Sequence, residues 1–182
     1  MDLQRGRLRM ITGDDLAQIL GWRNSERIRK EMFTEHIISW EEHLAWFEKS
    51  LSSGNHHLVF ELDGNPAGVS SFTGIDAQNN HCSWGFYLGE SPLPRGTGIM
   101  LGIYSMQYAF DILKVHRVCS EVLASNPISL AFHSKMGFCR EGILREHIKK
   151  ADGFVDVVCF GQLYEEWTRN CAVLTKKLAT EY

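Results

Sequence analysis

The 182-residue sequence predicts one domain of the mixed α/β (α+β) class. Segments with helical spacing of apolar residues lie between segments that alternate as strands do, in the order β-α-α-β-β-β-α-β-α-β-β. Hydrophobic residues make up 44% of the chain, which is enough for one sizeable core. Short connections between most segments favour a mixed sheet covered by helices.

The first strand and two helices occupy the N-terminal third. Residues 7–11 predict a short strand, and Asp14 and Asp15 open an amphipathic helix, after which residues 22–32 predict a helix end and a connection. The segment Ser39-Trp40-Glu41-Glu42 is a capping box, because Ser39 and Glu42 can each bind the other's backbone N–H. It predicts a second helix that ends near residue 51, before Gly54.

Three strands follow, at residues 57–62, 67–75 and 82–88. Residues 63–66 and 76–80 are rich in Asp, Asn and Gly and form the turns between them. Such short turns predict an antiparallel meander.

The second half alternates again between helix and strand. Apolar residues at helical spacing predict a helix from residue 99 to 110, and residues 117–123 predict a strand. Asn126 caps the next helix, which has Pro127 at its first position and Gly137 at its end. Two strands, at about 143–149 and 154–164, flank a hairpin turn at residues 151–153. The domain is predicted to span residues 1–170, with residues 171–182 as a C-terminal extension.

Composition and charge exclude several classes of protein. The net charge is −3 and the basic residues are scattered, which speaks against nucleic acid as a partner. No apolar run reaches the ~18 residues of a membrane span, and the charged N-terminus is unlike a secretory signal, so we expect a cytoplasmic protein without a membrane partner. Five cysteines without C-x-x-C spacing predict reduced thiols and no metal site.

A glycine-rich loop, Pro94-Arg95-Gly96-Thr97-Gly98, lies between a strand and a helix. Backbone N–H groups there, the helix N-terminus and Arg95 can together bind an anion such as a phosphate. By itself such a segment also fits a turn that needs two glycines.

A second motif follows the next strand. Residues 126–138 form a short capped helix that ends in Gly-Phe. Residues 95–100 resemble the [RQ]-x-x-G-x-[GA] motif of the GNAT acetyltransferase superfamily, and residues 126–138 resemble a second motif of the same superfamily. The resemblance implies a single-domain GNAT fold: a mixed, mostly antiparallel seven-stranded sheet with helices on both faces and a splayed central parallel strand pair, here residues 82–88 and 117–123. It also implies N-acetyltransferase activity with acetyl-CoA as co-substrate.

The same resemblance implies where acetyl-CoA binds. The loop amides hold the pyrophosphate, and Asn126 and the helix that follows it flank the pantetheine arm. Unpaired N–H groups of the first splayed strand face the acetyl carbonyl. The cofactor-binding residues expected from it are Phe86, Tyr87, Leu88, Arg95, Gly96, Thr97, Gly98, Ile99, Asn126, Ser129, Phe132 and Lys135. Met100 departs from the small residue of the motif and is expected to reshape the phosphate site.

Two side chains are candidate catalytic groups. Glu121, on the strand before the second motif, can accept the amine proton directly or through water, although a solvated or salt-bridged carboxylate explains it as well. His133 stands where many family members carry the tyrosine that protonates the leaving sulfur, and imidazole can serve because it titrates near neutrality. The alternative is a packing role beneath CoA.

The acceptor side resembles the N-acetyltransferases of pseudaminic acid biosynthesis, which act on the 4-amino group of a UDP-linked 4-amino-4,6-dideoxy sugar. The resemblance lies in residues 22–24, 43–48 and 68–73 and in Met32. Cationic, hydrogen-bonding and aromatic groups suit a nucleotide sugar. The predicted substrate-binding residues are Trp22, Arg23, Met32, His43, Ser71 and Thr73, of which the apolar ones also fit a core.

Two other functions remain open from the sequence. GNAT enzymes that acetylate the N-termini of ribosomal proteins carry a similar W-R-N segment, so a protein N-terminus is the alternative acceptor. A degenerate fold that binds acyl-CoA as a sensor without turnover is a second alternative. The expected partner is a small molecule, and a homodimer is compatible with the sequence.

Overall fold

The computed structural model describes residues 1–181 and contains one seven-stranded sheet. The strands lie in the order β1-β2-β3-β4-β5-β7-β6. Their bounds are β1 Gly6–Met10, β2 His56–Leu62, β3 Asn65–Asp76, β4 His81–Leu88, β5 Arg117–Leu123, β6 Cys139–Lys150 and β7 Gly153–Leu163. The number and order of the strands confirm the fold class.

Six α-helices connect and cover the strands: α1 Leu16–Asn24, α2 Glu26–Arg29, α3 Trp40–Ser52, α4 Thr97–Gln107, α5 Pro127–Lys135 and α6 Tyr164–Glu181. The capping box at the start of α3 is present, with the Glu42 N–H 3.2 Å from Ser39 Oγ. Asn126 caps α5 by accepting the Ser129 N–H at 2.9 Å. Gly54 and Gly137 follow α3 and α5 with positive φ, as helix-terminating glycines do.

Neighbouring strands are antiparallel except for β4 and β5. These two pair only at their N-terminal ends, from His81↔Arg117 to Ser83↔Cys119, and then separate. Beyond Ser83, β4 keeps its pairing with β3, and beyond Cys119, β5 keeps its pairing with β7. The predicted splayed parallel pair is therefore confirmed, and its gap opens in the middle of the sheet.

Helices pack on both faces of the sheet. The larger core lies on one face, between the sheet and helices α4 and α6, and contains Phe60, Leu101 and Met106, each at most 1% exposed. A smaller core on the other face joins α1 to Val59 and Val69 of β2 and β3, with Trp46 of α3 packed against it. The cofactor-side helices and the N-terminal helices thus lie on opposite faces.

Two segments differ from the sequence-based expectations. Residues 22–32, expected to be a helix end and connection, continue α1 to Asn24 and add the short helix α2. The C-terminal residues form α6, which runs across the expected domain end at residue 170. Leu174 and Leu178 of α6 are buried in the larger core, so residues 171–181 pack on the same unit as the rest. No helix among residues 1–181 is long and apolar enough to cross a bilayer.

Candidate active site

The gap between β4 and β5 opens into a cavity of about 800 Å³. We call it the main cavity. One wall is β4 from Gly85 to Leu88, the opposite wall is β5 from Ser120 to Leu123, and the floor comes from Gly98 and α5. The mouth is formed by residues of α1, α2 and the following loop, including Arg23, Arg27, Lys30, Met32 and Phe33. The cavity therefore crosses from one face of the sheet to the other.

The end of β4 presents backbone groups to this cavity. The Gly89 N–H donates to Ala67 O of β3 at 2.8 Å. Since successive residues of a strand point their N–H groups to opposite edges, the Leu88 N–H and C=O point away from β3, toward the gap. The Leu88 carbonyl accepts from Arg27 Nη1 at 3.1 Å, consistent with this direction. Phe86 and Leu88 thus supply the N–H groups of the gap, whereas the Tyr87 N–H points toward β3.

The glycine-rich loop leads into the N-terminus of α4. Gly96 has a φ of +90°, which favours glycine, and Gly98 lines the main cavity. The Thr97 N–H and Oγ1 both donate to Pro94 O, at 3.2 and 2.7 Å. Among residues 1–181, the N–H groups of Gly96, Gly98 and Ile99 have no backbone acceptor. Thr97 therefore shapes the turn, and the amides of these three residues are left for an anion.

The side chains of the other predicted cofactor residues around the loop do not line the main cavity, and their contribution to cofactor binding stays a prediction. The side chain of Ile99 is 7% exposed and belongs to the larger core. Arg95 and Lys135 are exposed and do not line the main cavity. Met100, expected to reshape the phosphate site, is fully buried in the core instead, close enough to Gly6 that a Cβ there would lie 2.6 Å from its sulfur. Helix α4 turns this side chain away from the loop. Methionine in place of the small motif residue therefore leaves the loop unobstructed.

Helix α5 supplies the cavity floor opposite α4. Asn126, Ser129 and Phe132, which are predicted to bind the cofactor, line the main cavity. Phe132 and Phe86 lie with ring centroids 4.7 Å apart, and Trp84 stacks on Phe86 at 4.5 Å. An apolar wall of this kind suits the aliphatic part of a pantetheine arm.

His133 is 2% exposed and stacks on Phe160, with ring centroids 5.1 Å apart. Its Nδ1 lies 2.8 Å from the Ser129 carbonyl oxygen, which can only accept, so Nδ1 carries the proton. Nε2 of the neutral ring then accepts from Ser120 Oγ at 2.8 Å. Burial lowers the pKa of His133, and the bond to Ser129 opposes that shift in part. In the neutral ring no N–H faces the cavity, so Ser120 stands between His133 and any ligand.

Glu121 and Ser120 lie on opposite faces of β5. Ser120 is buried with its neighbours Val118 and Val122, on the face covered by α5. Glu121 is exposed, lines the main cavity and pairs across the strands with Cys159 of β7. Its carboxylate therefore lies on the face that carries the N-terminal helices. Its role as the acceptor of the amine proton stays a prediction.

Arg23 divides the main cavity from a second one. Its Nη2 donates to Thr34 O at 3.0 Å and to Thr34 Oγ1 at 2.7 Å, whereas Nη1 is buried and has no hydrogen-bond partner among residues 1–181. No carboxylate within that range pairs with it either. Desolvation lowers the pKa of Arg23, and Arg29 adds to this effect. A buried cationic nitrogen without a counter-charge is costly, and an anionic group or a water bound in the cavity would offset that cost.

The second cavity, of about 400 Å³, lies beside the main one and shares Arg23 and Tyr87 with it. We call it the side cavity. His43, Ser71 and Trp46 also line it, so three of the predicted substrate-binding residues, Arg23, His43 and Ser71, meet there. Met32 lines the main cavity. Two other predicted substrate residues, Trp22 and Thr73, line neither cavity.

Trp22 lies in the smaller core instead of a ligand site. It is 8% exposed, and its Nε1 donates to Glu90 Oε1 at 2.9 Å. A Cβ on Gly89 would lie 2.0 Å from its ring, so the indole fills the space that this glycine leaves.

Several residues that line the two cavities were missed by sequence reasoning, among them Ser120, His57 and Arg27. Ser120 is two positions from Val122 on the buried face of β5, and only strand alternation could have indicated it. His57 pairs with Ser71 across β2 and β3 and hydrogen-bonds its Oγ at 2.8 Å. Arg27 lies on α2, a helix that the sequence pattern did not predict.

The sequence matches the family model described as Acetyltransferase (GNAT) domain over residues 8–159. Acetyltransferase PseH of Campylobacter jejuni is 31% identical over 130 residues, which cover 70% of this chain and 79% of the relative. The SPbeta prophage-derived uncharacterized N-acetyltransferase YokL of Bacillus subtilis is 30% identical over 128 residues, covering 69% and 71% of the two chains.

A solved structure supports the same fold. Spermidine N-acetyltransferase from Vibrio cholerae, in complex with CoA and spermine, superimposes with a TM-score of 0.85 at 21% identity, covering 91% of this chain and 99% of that one. At that identity the likeness concerns the fold alone. The family match spans most of the sequence, and the splayed strands, glycine loop and capped α5 agree with it. This chain belongs to the GNAT family of acetyltransferases.

Proposed function

We propose that this enzyme transfers the acetyl group of acetyl-CoA to the 4-amino group of a UDP-linked 4-amino-4,6-dideoxy sugar, as in pseudaminic acid biosynthesis. The observation that carries the proposal is the buried Nη1 of Arg23, which has no partner on the wall between the cavities. A diphosphate or another anionic acceptor would supply that partner. The resemblance to PseH over 70% of the chain supports the same class of acceptor.

The charge of the cavity mouth separates this acceptor from a polyamine. Arg23, Arg27 and Lys30 line the main cavity, against the two carboxylates Glu31 and Glu121. A polycation needs a predominantly acidic site, and a protein N-terminus likewise favours an acidic groove. The residues near Arg23 therefore favour an anionic acceptor over spermidine or a peptide.

Acetyl-CoA would occupy the gap between β4 and β5. The Gly96 and Gly98 N–H groups and the α4 N-terminus would bind the pyrophosphate. Phe86 and Phe132 would contact the pantetheine arm. The Leu88 N–H would donate to the acetyl carbonyl oxygen, where negative charge develops in the transition state.

The reaction needs one C–N bond formed and one C–S bond broken. The amine nitrogen attacks the acetyl carbonyl carbon, and Glu121 takes the proton that the nitrogen loses, directly or through water. The tetrahedral intermediate collapses and expels the CoA thiolate. The thiolate takes a proton through the Ser120 hydroxyl from His133 when that ring is protonated, and from water when it is not.

The direct test incubates the protein and acetyl-CoA with a UDP-4-amino-4,6-dideoxy sugar, an N-terminal peptide and spermidine in separate reactions. Product mass identifies the acetylated amine, and free thiol reports turnover. We expect acetylation of the nucleotide sugar. Acetylation of the peptide or of spermidine alone would refute the proposed acceptor, and tight acetyl-CoA binding without thiol release from any arm would favour a sensor.

A variant series tests the role of Arg23. Arg23→Ala should raise KM for the nucleotide sugar at least about tenfold, because a charge-assisted hydrogen bond is lost, while KM for acetyl-CoA stays unchanged. Lys49→Ala removes an exposed cation from the last turn of α3 and serves as the matched control. Equal KM values in the two variants would contradict an anion at Arg23.

A further inference from the structure

The side cavity is a polar site built from buried groups behind the active site. It lies between α1, α3 and the strands β2, β3 and β4. Tyr87 separates it from the gap, and the next residue, Leu88, ends β4. A group bound in the side cavity would thus lie one side chain away from the reacting carbonyl.

His43 presents an unpartnered acceptor to this cavity. The residue is 4% exposed, and its Nε2 has no hydrogen-bond partner among residues 1–181. The ring also bonds the Leu16 backbone, and because that bond raises the pKa, the ring donates through Nδ1 to the carbonyl. Burial has the larger effect and lowers the pKa of His43. The ring is therefore neutral at pH 7, and Nε2 is an acceptor that a donor on a ligand or a bound water can satisfy.

Arg23 presents the complementary donor at the edge of the same cavity. Its buried Nη1 has no hydrogen-bond partner among residues 1–181 and carries two N–H groups, so one can donate to the diphosphate proposed above and the other to an acceptor in the side cavity. A ligand that satisfies both nitrogens must offer an acceptor to Arg23 and a donor to His43. An anion alone satisfies only Arg23, and a cation satisfies only His43.

The remaining walls suit a flat or apolar group. Trp46 stacks on His43 with ring centroids 5.1 Å apart and contacts the edge of His57 at 4.8 Å. Ile19, Ile38 and Val69 complete the lining together with His36 and Glu42. Glu42 is occupied at the α3 cap, where it accepts the Ser39 N–H at 2.8 Å, and lies 3.3 Å from His36.

We propose that the side cavity binds a neutral –NH–CO– group of the acceptor, whose carbonyl accepts from Arg23 and whose N–H donates to His43. This inference rests on the proposed function, since it specifies a part of the same acceptor. An acetamido group on the sugar and the imide edge of uracil carry this chemistry, and both are small enough for a cavity of about 400 Å³. The site would select amide-bearing acceptors over those with a hydroxyl at the same position.

Binding of ligands without a reactive amine tests this site apart from turnover. Isothermal titration compares UDP-N-acetylglucosamine with UDP-glucose, which has a hydroxyl in place of the acetamido group. It also compares UMP with CMP, because cytosine has an acceptor where uracil has the N3–H donor. We expect a preference of about tenfold in at least one pair, the size of one lost buried hydrogen bond. The pair that shows it identifies the source of the amide.

Three variants make the result decisive. His43→Leu should abolish the preference, and Ile38→Trp, which fills the cavity, should do the same if His43→Leu fails to fold. Glu48→Ala, at an exposed position of α3, is the control and should retain it. No preference in either pair, or a preference that survives both cavity variants, would overturn the inference.

The two proposals fail separately. A preference for the amide-bearing ligand without acetylation of the UDP-4-amino sugar would remove the proposed reaction and leave the site. Acetylation of that sugar without any such preference would leave the reaction and remove the site.

Discussion

Replacing His133 with phenylalanine tests how the buried imidazole is held. Phenylalanine keeps a ring against Phe160 but leaves the buried Ser120 Oγ without its partner, whereas the Ser129 carbonyl keeps its backbone bond within α5. The unsatisfied hydroxyl costs about 1–3 kcal/mol, partly offset by the more apolar ring. We therefore expect His133→Phe to lower the free energy of unfolding by about 2 kcal/mol at pH 7.5.

The cost should shrink as the pH falls. Burial lowers the pKa of His133 in the folded state below its ordinary value of 6.5, so the unfolded chain binds a proton that the folded chain does not. The folded state is thus destabilised as the pH drops through 6.5, by about 1.4 kcal/mol between pH 7.5 and 5.5 for one histidine that stays neutral when folded. The variant lacks this penalty. Its free energy of unfolding should therefore be only about 0.6 kcal/mol below that of wild type at pH 5.5.

Urea unfolding followed by fluorescence at both pH values measures the two differences. His147→Phe, at an exposed position of β6, is the control and should preserve the wild-type pH dependence. His43 and His57 are also buried with lowered pKa values. They make the free energy of unfolding fall with pH in wild type and variant alike, so they do not affect the difference between the two. A difference that is the same at pH 7.5 and 5.5 would show that folding leaves the pKa of His133 unchanged, and a larger difference at pH 5.5 would show that folding raises it; either result would refute a buried neutral ring.

Four further predictions follow from the site and its supports. Gly98→Asp should weaken acetyl-CoA binding about tenfold or more by charge repulsion, while Gly98→Ala should not, because a Cβ there lies 3.8 Å from Leu88; equal dissociation constants would remove the loop assignment. Glu121→Gln should lower kcat about 10²-fold at unchanged KM, and wild-type turnover would refute its role as base. His133→Phe should lower kcat more than it lowers the affinity for acetyl-CoA, because the Ser120 hydroxyl in the main cavity loses the imidazole that orients it; an unchanged kcat would leave His133 a packing role. Asp15→Asn should lower the free energy of unfolding by about 2 kcal/mol at pH 7, because the hydrogen bond from Arg9 lowers the pKa of Asp15 from 3.8 to about 2. This contribution is present above pH 4 and is lost as the pH falls toward 2. A variant whose free energy of unfolding falls below pH 4 as steeply as that of wild type would contradict the prediction.

The elements with local signals were predictable from the sequence. The Ser39 capping box, the Asn126 cap and the glycines at 54 and 137 act within a few residues, and the structure shows each of them. The parallel pairing of β4 with β5 joins strands separated by a helix, and it was expected only through the family resemblance. Helix α6 lacked a clear cap or a glycine stop, so its packing on the core was not expected.

Side-chain directions within the site were less predictable than the backbone around it. Motif position placed Met100 and Ile99 at the phosphate loop, but the rotation of α4 puts both side chains in the core. Trp22 was expected at the acceptor, and its indole fills the space beside Gly89 instead. The side cavity depends on long-range packing of α1 and α3 on the strands, so no local pattern could show that His43 and Ser71 share it with His57.

A crystal structure of the protein with acetyl-CoA tests the central claim most directly. We expect the thioester to lie in the gap between β4 and β5, with its carbonyl oxygen within hydrogen-bond distance of the Leu88 N–H. We expect the pyrophosphate to bind at the Gly96 and Gly98 amides. Acetyl-CoA bound outside this gap, or a gap closed by pairing of β4 with β5 along their full length, would contradict it.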